Sequence, residues 1–257
     1  MNILVFVKQV PDDAVKVGLS AEGKPDTASI DKIVNSFDTY AVELAVRHKE
    51  ADGGKVVAAS VGGEKEVRPA VVQMIAVGAD KAYIAKPSCE NPDNAAMASE
   101  LAAFVKKCEE AEGTPFDLIL CGKESTDEIS AQTGAMLAEK LGIAYVSDAL
   151  EFEEADGKLK VKHETEDGYA VYEASLPAVL TVGKTAYDPR YPSLKSKMAA
   201  RKAQIPFVED LSAEQPSVAC MGYQEPPKRE AGIKIQEKEA ADSVAKAMEI
   251  LIQDKVV

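Results

Sequence analysis

The sequence predicts an α/β fold: a mostly parallel sheet flanked by helices, with a hairpin and an extended C-terminal arm. Strand-like and helix-like segments alternate over roughly the first 145 residues, the pattern that builds right-handed βαβ units. The first strand-like segment, Met1–Val7, is a short apolar run rich in β-branched residues rather than an alternating one, as strands covered on both faces are. Of the 257 residues, 46% are apolar and 28% charged. That balance belongs to ordinary globular proteins and excludes disorder and fibrous repeats.

Met1–Val7 (MNILVFV) is the first strand, followed by a loop to about Asn35. Asp38–Glu50 places Ala41, Leu44, Ala45 and His48 at helical spacing, and Gly53 with Gly54 ends the helix. Lys55–Val61 is the next strand. Glu66–Val77 reads as a helix stopped by Gly78, with Pro69 expected in its first turn, where no N–H is needed. Strand Lys81–Ala85 precedes a helix over Asp93–Lys107, whose Met97, Leu101, Phe104 and Val105 share a face. Strand Asp117–Cys121 and a helix over Ser130–Leu141 follow. Lys158–His163 and Tyr169–Ala174 form a hairpin around the acidic turn Glu164–Gly168, and Ala178–Val182 is a further strand. After Pro206 the chain turns irregular until Glu237–Gln253, where Ala240, Val244, Met248 and Leu251 line one helical face. The expected division is therefore an α/β domain over 1–205 and an arm over 206–257 that packs on its own domain or on a partner.

Thirty Lys and Arg face 43 Asp and Glu, a net charge of −13, which repels nucleic acid and anionic membranes. Trp is absent and aromatics make up 5%, too few for a base-stacking platform. Cys89, Cys108, Cys121 and Cys220 are scattered without a C-x-x-C, and His48 and His163 are the only histidines, so no metal site is expected. No run reaches the ~18 apolar residues of a membrane span, and the first residues lack a basic leader. A cytoplasmic protein without membrane insertion is expected.

Ligands of open parallel sheets sit beyond the carboxyl ends of the strands. Three segments lie there: Lys8–Asp13, Val61–Gly63 and Gly122–Gly134 (GKESTDEISAQTG). The last joins a glycine, the hydroxyls of Ser125, Thr126, Ser130 and Thr133, and a helix start able to cradle a phosphate. The plainer alternative is that these hydroxyls and Asp127 and Glu128 merely cap the helix and suit its dipole. Neither G-x-G-x-x-G after a strand nor a P-loop occurs. No nucleophile, base or metal cluster presents itself, so no residue is assigned a catalytic role.

The ordered set of motifs is more specific than any one of them. KQVPDDAVK after the first strand, Asn35-Ser36-Phe37-Asp38 before AVELA, AVGAD at Ala76–Asp80, GK…D…AQTG at Gly122–Gly134, the hairpin signature and SLPAVLT of Val161–Thr181, DPRYPSLKSKM at Asp188–Met198 and EPPKREAGIKI at Glu225–Ile235 occur in sequence. Over essentially its whole length the chain resembles the β (small) subunit of electron transfer flavoprotein. The resemblance implies a Rossmann-like, adenine-nucleotide-binding domain. It implies a heterodimer with a larger α subunit that holds the redox FAD, and an electron carrier that is not an enzyme by itself. Electrons would come from flavin-dependent dehydrogenases such as acyl-CoA dehydrogenases. The pocket of this subunit would hold AMP or, in the electron-bifurcating branch, a second FAD. Transferred by position, it uses Phe6, Asn35, Ser36, Phe37, Asp38, Val61 and Gly62. The long loop adds Gly122, Lys123, Glu124, Ser125, Thr126, Asp127, Glu128, Ile129, Ser130, Ala131, Gln132 and Thr133. Ser36 stands where the family usually has Pro. Ala131 leans to the bifurcating branch, whereas the tail motif leans to the AMP branch. A more distant alternative is a free-standing adenine-nucleotide-binding α/β protein.

One stretch departs from the acidic background. Lys184, Arg190, Lys195, Lys197, Arg201 and Lys202 face only Asp188, a local charge of +5. On charge alone this is a solvated basic helix. The resemblance places a partner-docking segment here, with Leu194 as its apolar anchor and Arg190, Lys195 and Lys197 around it.

Overall fold

The computed structural model describes residues 1–211, 214–228 and 231–256. Its elements run β1 (Asn2–Phe6), β2 (Gln9–Pro11), β3 (Gly18–Leu19), β4 (Pro25–Asp26), β5 (Lys32–Val34), α1 (Ser36–Asp52), β6 (Lys55–Val61), α2 (Glu64–Val77), β7 (Lys81–Ala85) and α3 (Asn94–Glu112). They continue as β8 (Leu118–Gly122), α4 (Thr133–Leu141), β9 (Ala144–Ala155), β10 (Lys158–Thr165), β11 (Gly168–Ser175), β12 (Ala178–Val182), α5 (Leu194–Ala200), β13 (Phe207–Val208) and α6 (Ala240–Gln253). Nine strands make one sheet in the order β11-β10-β9-β12-β8-β1-β6-β7-β13. From β9 to β13 along this order every neighbour pair is parallel, and β10 and β11 add an antiparallel end.

The apolar strands follow from two cores, one on each face. Ile3, Val5 and Val7 of the first strand segment pack with α1 and α2 residues such as Ala41, Leu44, Val71 and Met74. Leu4 and Phe6, pointing the other way, pack with Leu101, Phe104 and Val105 of α3 and Leu137 of α4. A strand with period 2 and a helix layer on each side has no face left for polar residues.

The predicted alternation holds, and the differences have local causes. The expected loop up to Asn35 contains β2 and β5, which pair antiparallel from Gln9↔Val34 to Pro11↔Lys32; three-residue strands are too short for alternation to show. α2 starts at Glu64, so Pro69 is its sixth residue and lies inside the helix rather than in its first turn. β9, twelve residues long, was not expected, because its second half is the acidic, half-exposed EFEEA. α4 starts at Thr133 rather than Ser130, since Ile129 (φ 53°) and Ala131 (φ 52°) are left-handed and no helix runs through them.

Contacts divide the chain into 1–17 with 26–221, and 18–25 with 222–257. The first unit thus extends past the expected boundary at 205. β13 pairs with β7 as Phe207↔Ile84 and Val208↔Ala85, Leu211 is buried in the second core, and Asp93 binds the N–H groups of Ser217 and Val218. In the second unit no residue of α6 is buried, and Val244 and Ile252 are exposed.

Candidate functional site

Chain order decides where the sheet opens. β1 continues through α1 to β6 on one side, while β8, reached much later through α3, lies on the other. The carboxyl ends of β1 and β8 therefore lead away from each other, and the crevice between them is the ligand position of such sheets. Gly122–Thr133 leaves β8 there, and Asn35–Asp38 starts α1 beside it.

Hydrogen bonds tie these segments together. Asn35 is 1% exposed. Its N–H donates to the Lys8 carbonyl (2.9 Å), its Nδ2 donates to the Glu124 carbonyl (2.9 Å), and its Oδ1 accepts from the Thr126 N–H (3.2 Å). A residue that would ordinarily cap α1 with its side chain holds the long loop instead. Asp38 accepts the Lys8 N–H at Oδ2 (2.7 Å) and the Gly122 N–H at Oδ1 (2.8 Å). Burial pushes the Asp38 carboxyl up to about 6, against the pull of those two N–H groups. A Cβ at Gly122 would lie 2.5 Å from Asp38 Oδ1 and 2.6 Å from Phe37 Cβ, so the helix start itself requires a glycine.

The Lys8 ammonium lies 2.9 Å from Asp127 Oδ1 and 3.1 Å from Glu128 Oε1 and donates to Ser125 Oγ (3.3 Å). Further along, Ser130 Oγ (3.2 Å) and Thr133 Oγ1 (3.4 Å) donate to Asn94 Oδ1, and Asn94 Nδ2 donates to Gln132 Oε1 (3.3 Å). These hydroxyls therefore do not cap α4, whose start makes no side-chain cap bond. Lys123 lies 3.6 Å from Asp148 and over the Phe37 ring at 5.5 Å. Lys8 and Asn94 are the members that motif reading did not assign to the site. Lys8 stood inside a noted strand-end segment; Asn94, at the start of α3, carried no sequence signal.

The remaining expected residues are placed unequally. Val61 and Gly62 close β6 at the same carboxyl edge, where the Gly62 N–H donates to the Ala85 carbonyl. Phe6 is 5% exposed with its ring 6.1 Å from that of Phe104. Its side chain belongs to the core, so at the end of β1 it offers the crevice its backbone rather than its ring. Ser36 and Phe37 are half-buried beside Asp38.

The loop carries backbone strain and an unmet polar atom. Ile129, 67% exposed, and Ala131 hold left-handed backbone, a conformation that costs a β-branched residue about 1–2 kcal/mol. Thr126 Oγ1 in this loop is buried without a partner, as are Ser60 Oγ just before the Val61–Gly62 turn and Gln9 Oε1 just after β1. Unmet buried polar atoms of this kind cost about 1–3 kcal/mol each, and these belong to segments that end or follow three neighbouring strands. Among the described residues, no group of three or more His, Cys, Asp or Glu could hold a metal ion.

The basic segment divides in two. Arg190 is held by two carboxylates, Glu43 (2.8 and 3.0 Å) and Glu50 (2.6 and 3.0 Å), and they keep its guanidinium charged well beyond the usual range. It is not a free docking charge, contrary to expectation. Beyond it, Tyr191 (96%) ahead of α5, and Leu194 (77%) and Met198 (58%) one turn apart on it, are exposed. Lys195 and Lys197 are exposed as well, and neither forms an ion pair among the described residues.

Comparison with known proteins agrees with this architecture. A family model described as the electron transfer flavoprotein domain matches residues 26–213. The electron transfer flavoprotein subunit beta of Megasphaera elsdenii is 31% identical over 271 aligned positions that cover all of both chains. The protein of the same name from Syntrophomonas wolfei is 34% identical, covering 93% of this chain and 91% of its own. The human one is 33% identical, covering 97% and 98%. With most of its length matched by the family model and its whole length by such relatives, the chain belongs to the electron transfer flavoprotein family, among its β subunits.

Proposed function

We propose that this chain is the small subunit of an electron-carrying heterodimer, and that it holds AMP between the carboxyl ends of β1 and β8. The observation that carries the reading is the Gly122–Thr133 loop. It crosses the crevice on two left-handed residues, and Thr126 Oγ1 is left without a partner. Backbone N–H groups around Ile129–Ala131 and the Ser130 and Thr133 hydroxyls would hold the phosphate, giving up their bonds to Asn94. FAD, held mainly by the larger α subunit, supplies the one- and two-electron chemistry. This chain contributes a fixed platform and a docking segment and is not an enzyme by itself.

Leu194 is the anchor of that segment and inserts into an apolar pocket of a flavin-dependent dehydrogenase, while Lys195 and Lys197 steer the encounter with an acidic rim. Arg190, clamped to α1, sets the position of the segment and does not steer.

The deciding experiment is the absorbance spectrum and nucleotide content of the complex purified with its α subunit. One FAD with one AMP per heterodimer supports the proposal. Two FADs would assign the chain to the electron-bifurcating branch, to which Ala131 points. A colourless monomer that hydrolyses ATP would sink both.

A further inference from the structure

Asp38 is a buried carboxylate that no step of the proposed function has used. The pairing of β1 with β8 runs from Ile3↔Leu118 to Val5↔Leu120 and stops. Beyond it the Lys8 and Gly122 N–H groups both point at this one side chain, at 2.7 and 2.8 Å. We propose that the Asp38 carboxylate is a positioning group: it joins the ends of β1 and β8 across the crevice and so fixes the backbone from which Gly122–Thr133 presents its N–H groups. The proposal rests on the nucleotide reading above.

Three features support it. Receiving two N–H groups at once takes an acceptor-only side chain, and a carboxylate is one, whereas an amide of the same shape would turn its NH2 towards one of them. The approach is close enough that residue 122 tolerates no Cβ. The charge also costs folding stability. Desolvation raises the folded-state pKa to about 6, above the ~3.9 of an unfolded Asp. Between those values the native state binds more protons than the unfolded chain, so stability falls as pH rises through the window. A charge that weakens the fold while holding two loop ends is explained by what the loops do. The groups facing it are the Lys8 N–H and ammonium, the Gly122 N–H, the Cys121 thiol of β8, and Asn35 at the cap of its own helix.

The test is calorimetric titration of AMP into the nucleotide-stripped full chain, wild type and Asp38→Asn, at about pH 7.5 and 5.5, with urea unfolding midpoints alongside. The variant is expected to keep or raise its midpoint at the higher pH while binding AMP at least about tenfold more weakly. Wild-type affinity should fall towards that of the variant at the lower pH. The variant should change only with the phosphate's own second ionisation near 6. Equal affinities at the higher pH would overturn the proposal, as would an affinity loss matched by a fallen midpoint. Should the variant not fold, hydrogen exchange of the wild-type Lys8 and Gly122 amides decides. Their protection, corrected for intrinsic rates, should drop between the two pH values, and unchanged protection would overturn the proposal. A wild-type chain that binds neither AMP nor FAD would remove the nucleotide reading and this inference together. Binding by wild type with no effect of Asp38→Asn removes this inference alone.

Discussion

The crevice at β1 and β8 and the segment from Tyr191 to Met198 are both rich in polar groups, but they spend them in opposite ways. At the crevice the two buried polar side chains turn inward to backbone, Asn35 to Glu124 and Thr126, Asp38 to Lys8 and Gly122, and the others pair among themselves. On the basic segment Lys195 and Lys197 stay in solvent around an exposed Leu194. Binding a small ligand requires preorganised backbone, whereas meeting a protein transiently requires charges that remain unpaired until the encounter. Arg190 marks the border, since it lies in the basic stretch by sequence yet is locked to Glu43 and Glu50.

That contrast can be broken most forcefully at Gly122. Gly122→Val forces a branched side chain against Asp38 and Phe37, and is expected to cost about 3 kcal/mol and to empty the crevice. Thermal unfolding should shift down by roughly 6–12 °C, and an unchanged midpoint would show that the helix start yields easily. Asn35→Ala removes the support of the Glu124 carbonyl and Thr126 N–H; a loss of about 2 kcal/mol should appear in urea unfolding, with AMP affinity falling alongside.

The segment proposed to dock should answer differently. Leu194→Ala leaves the unfolding midpoint where it was and raises the dissociation rate from the dehydrogenase about tenfold, read by stopped-flow electron transfer. Electron transfer at the wild-type rate would return the segment to a solvated helix. Smallest of all, Lys195→Glu with Lys197→Glu should shift stability by less than about 0.5 kcal/mol while slowing association and flattening its dependence on salt. A salt dependence as steep as that of wild type would dismiss steering.

Much of this was legible in the residues. MNILVFV reads as a doubly covered strand because it is a largely apolar run rich in β-branched residues, and the placement of Gly122–Gly134 at a strand end follows from chain order, whereas Asn35–Asp38 came only from the family resemblance. β9 escaped because Glu151, Glu153 and Glu154 interrupt it, and acidic residues on a half-exposed strand carry no periodic signal. Asn94 escaped because its contact with Ser130 and Thr133 spans 36 and 39 residues of sequence. The direction of the Phe6 ring was illegible for a related reason: position at a strand end does not say which face the ring takes, and here it turns towards Phe104. The Arg190 clamp joins residues 140 and 147 positions apart, which a count of local charge cannot see.

The two residues of β13 have a further consequence for how the chain tolerates cutting. The Ile84 N–H donates to the Pro206 carbonyl and the Lys86 N–H to the Val208 carbonyl, so this short piece covers the last strand of the parallel side. A protease nick or truncation after residue 205 would bare β7, where Ala82, Tyr83, Ile84 and Ala85 are buried, and turn it into an open template for other chains to zip onto. Cleavage beyond Met221 leaves that seal in place. Aggregation, rather than unfolding, is then the expected signature of the shorter fragment, and light scattering during limited proteolysis would distinguish the two cuts.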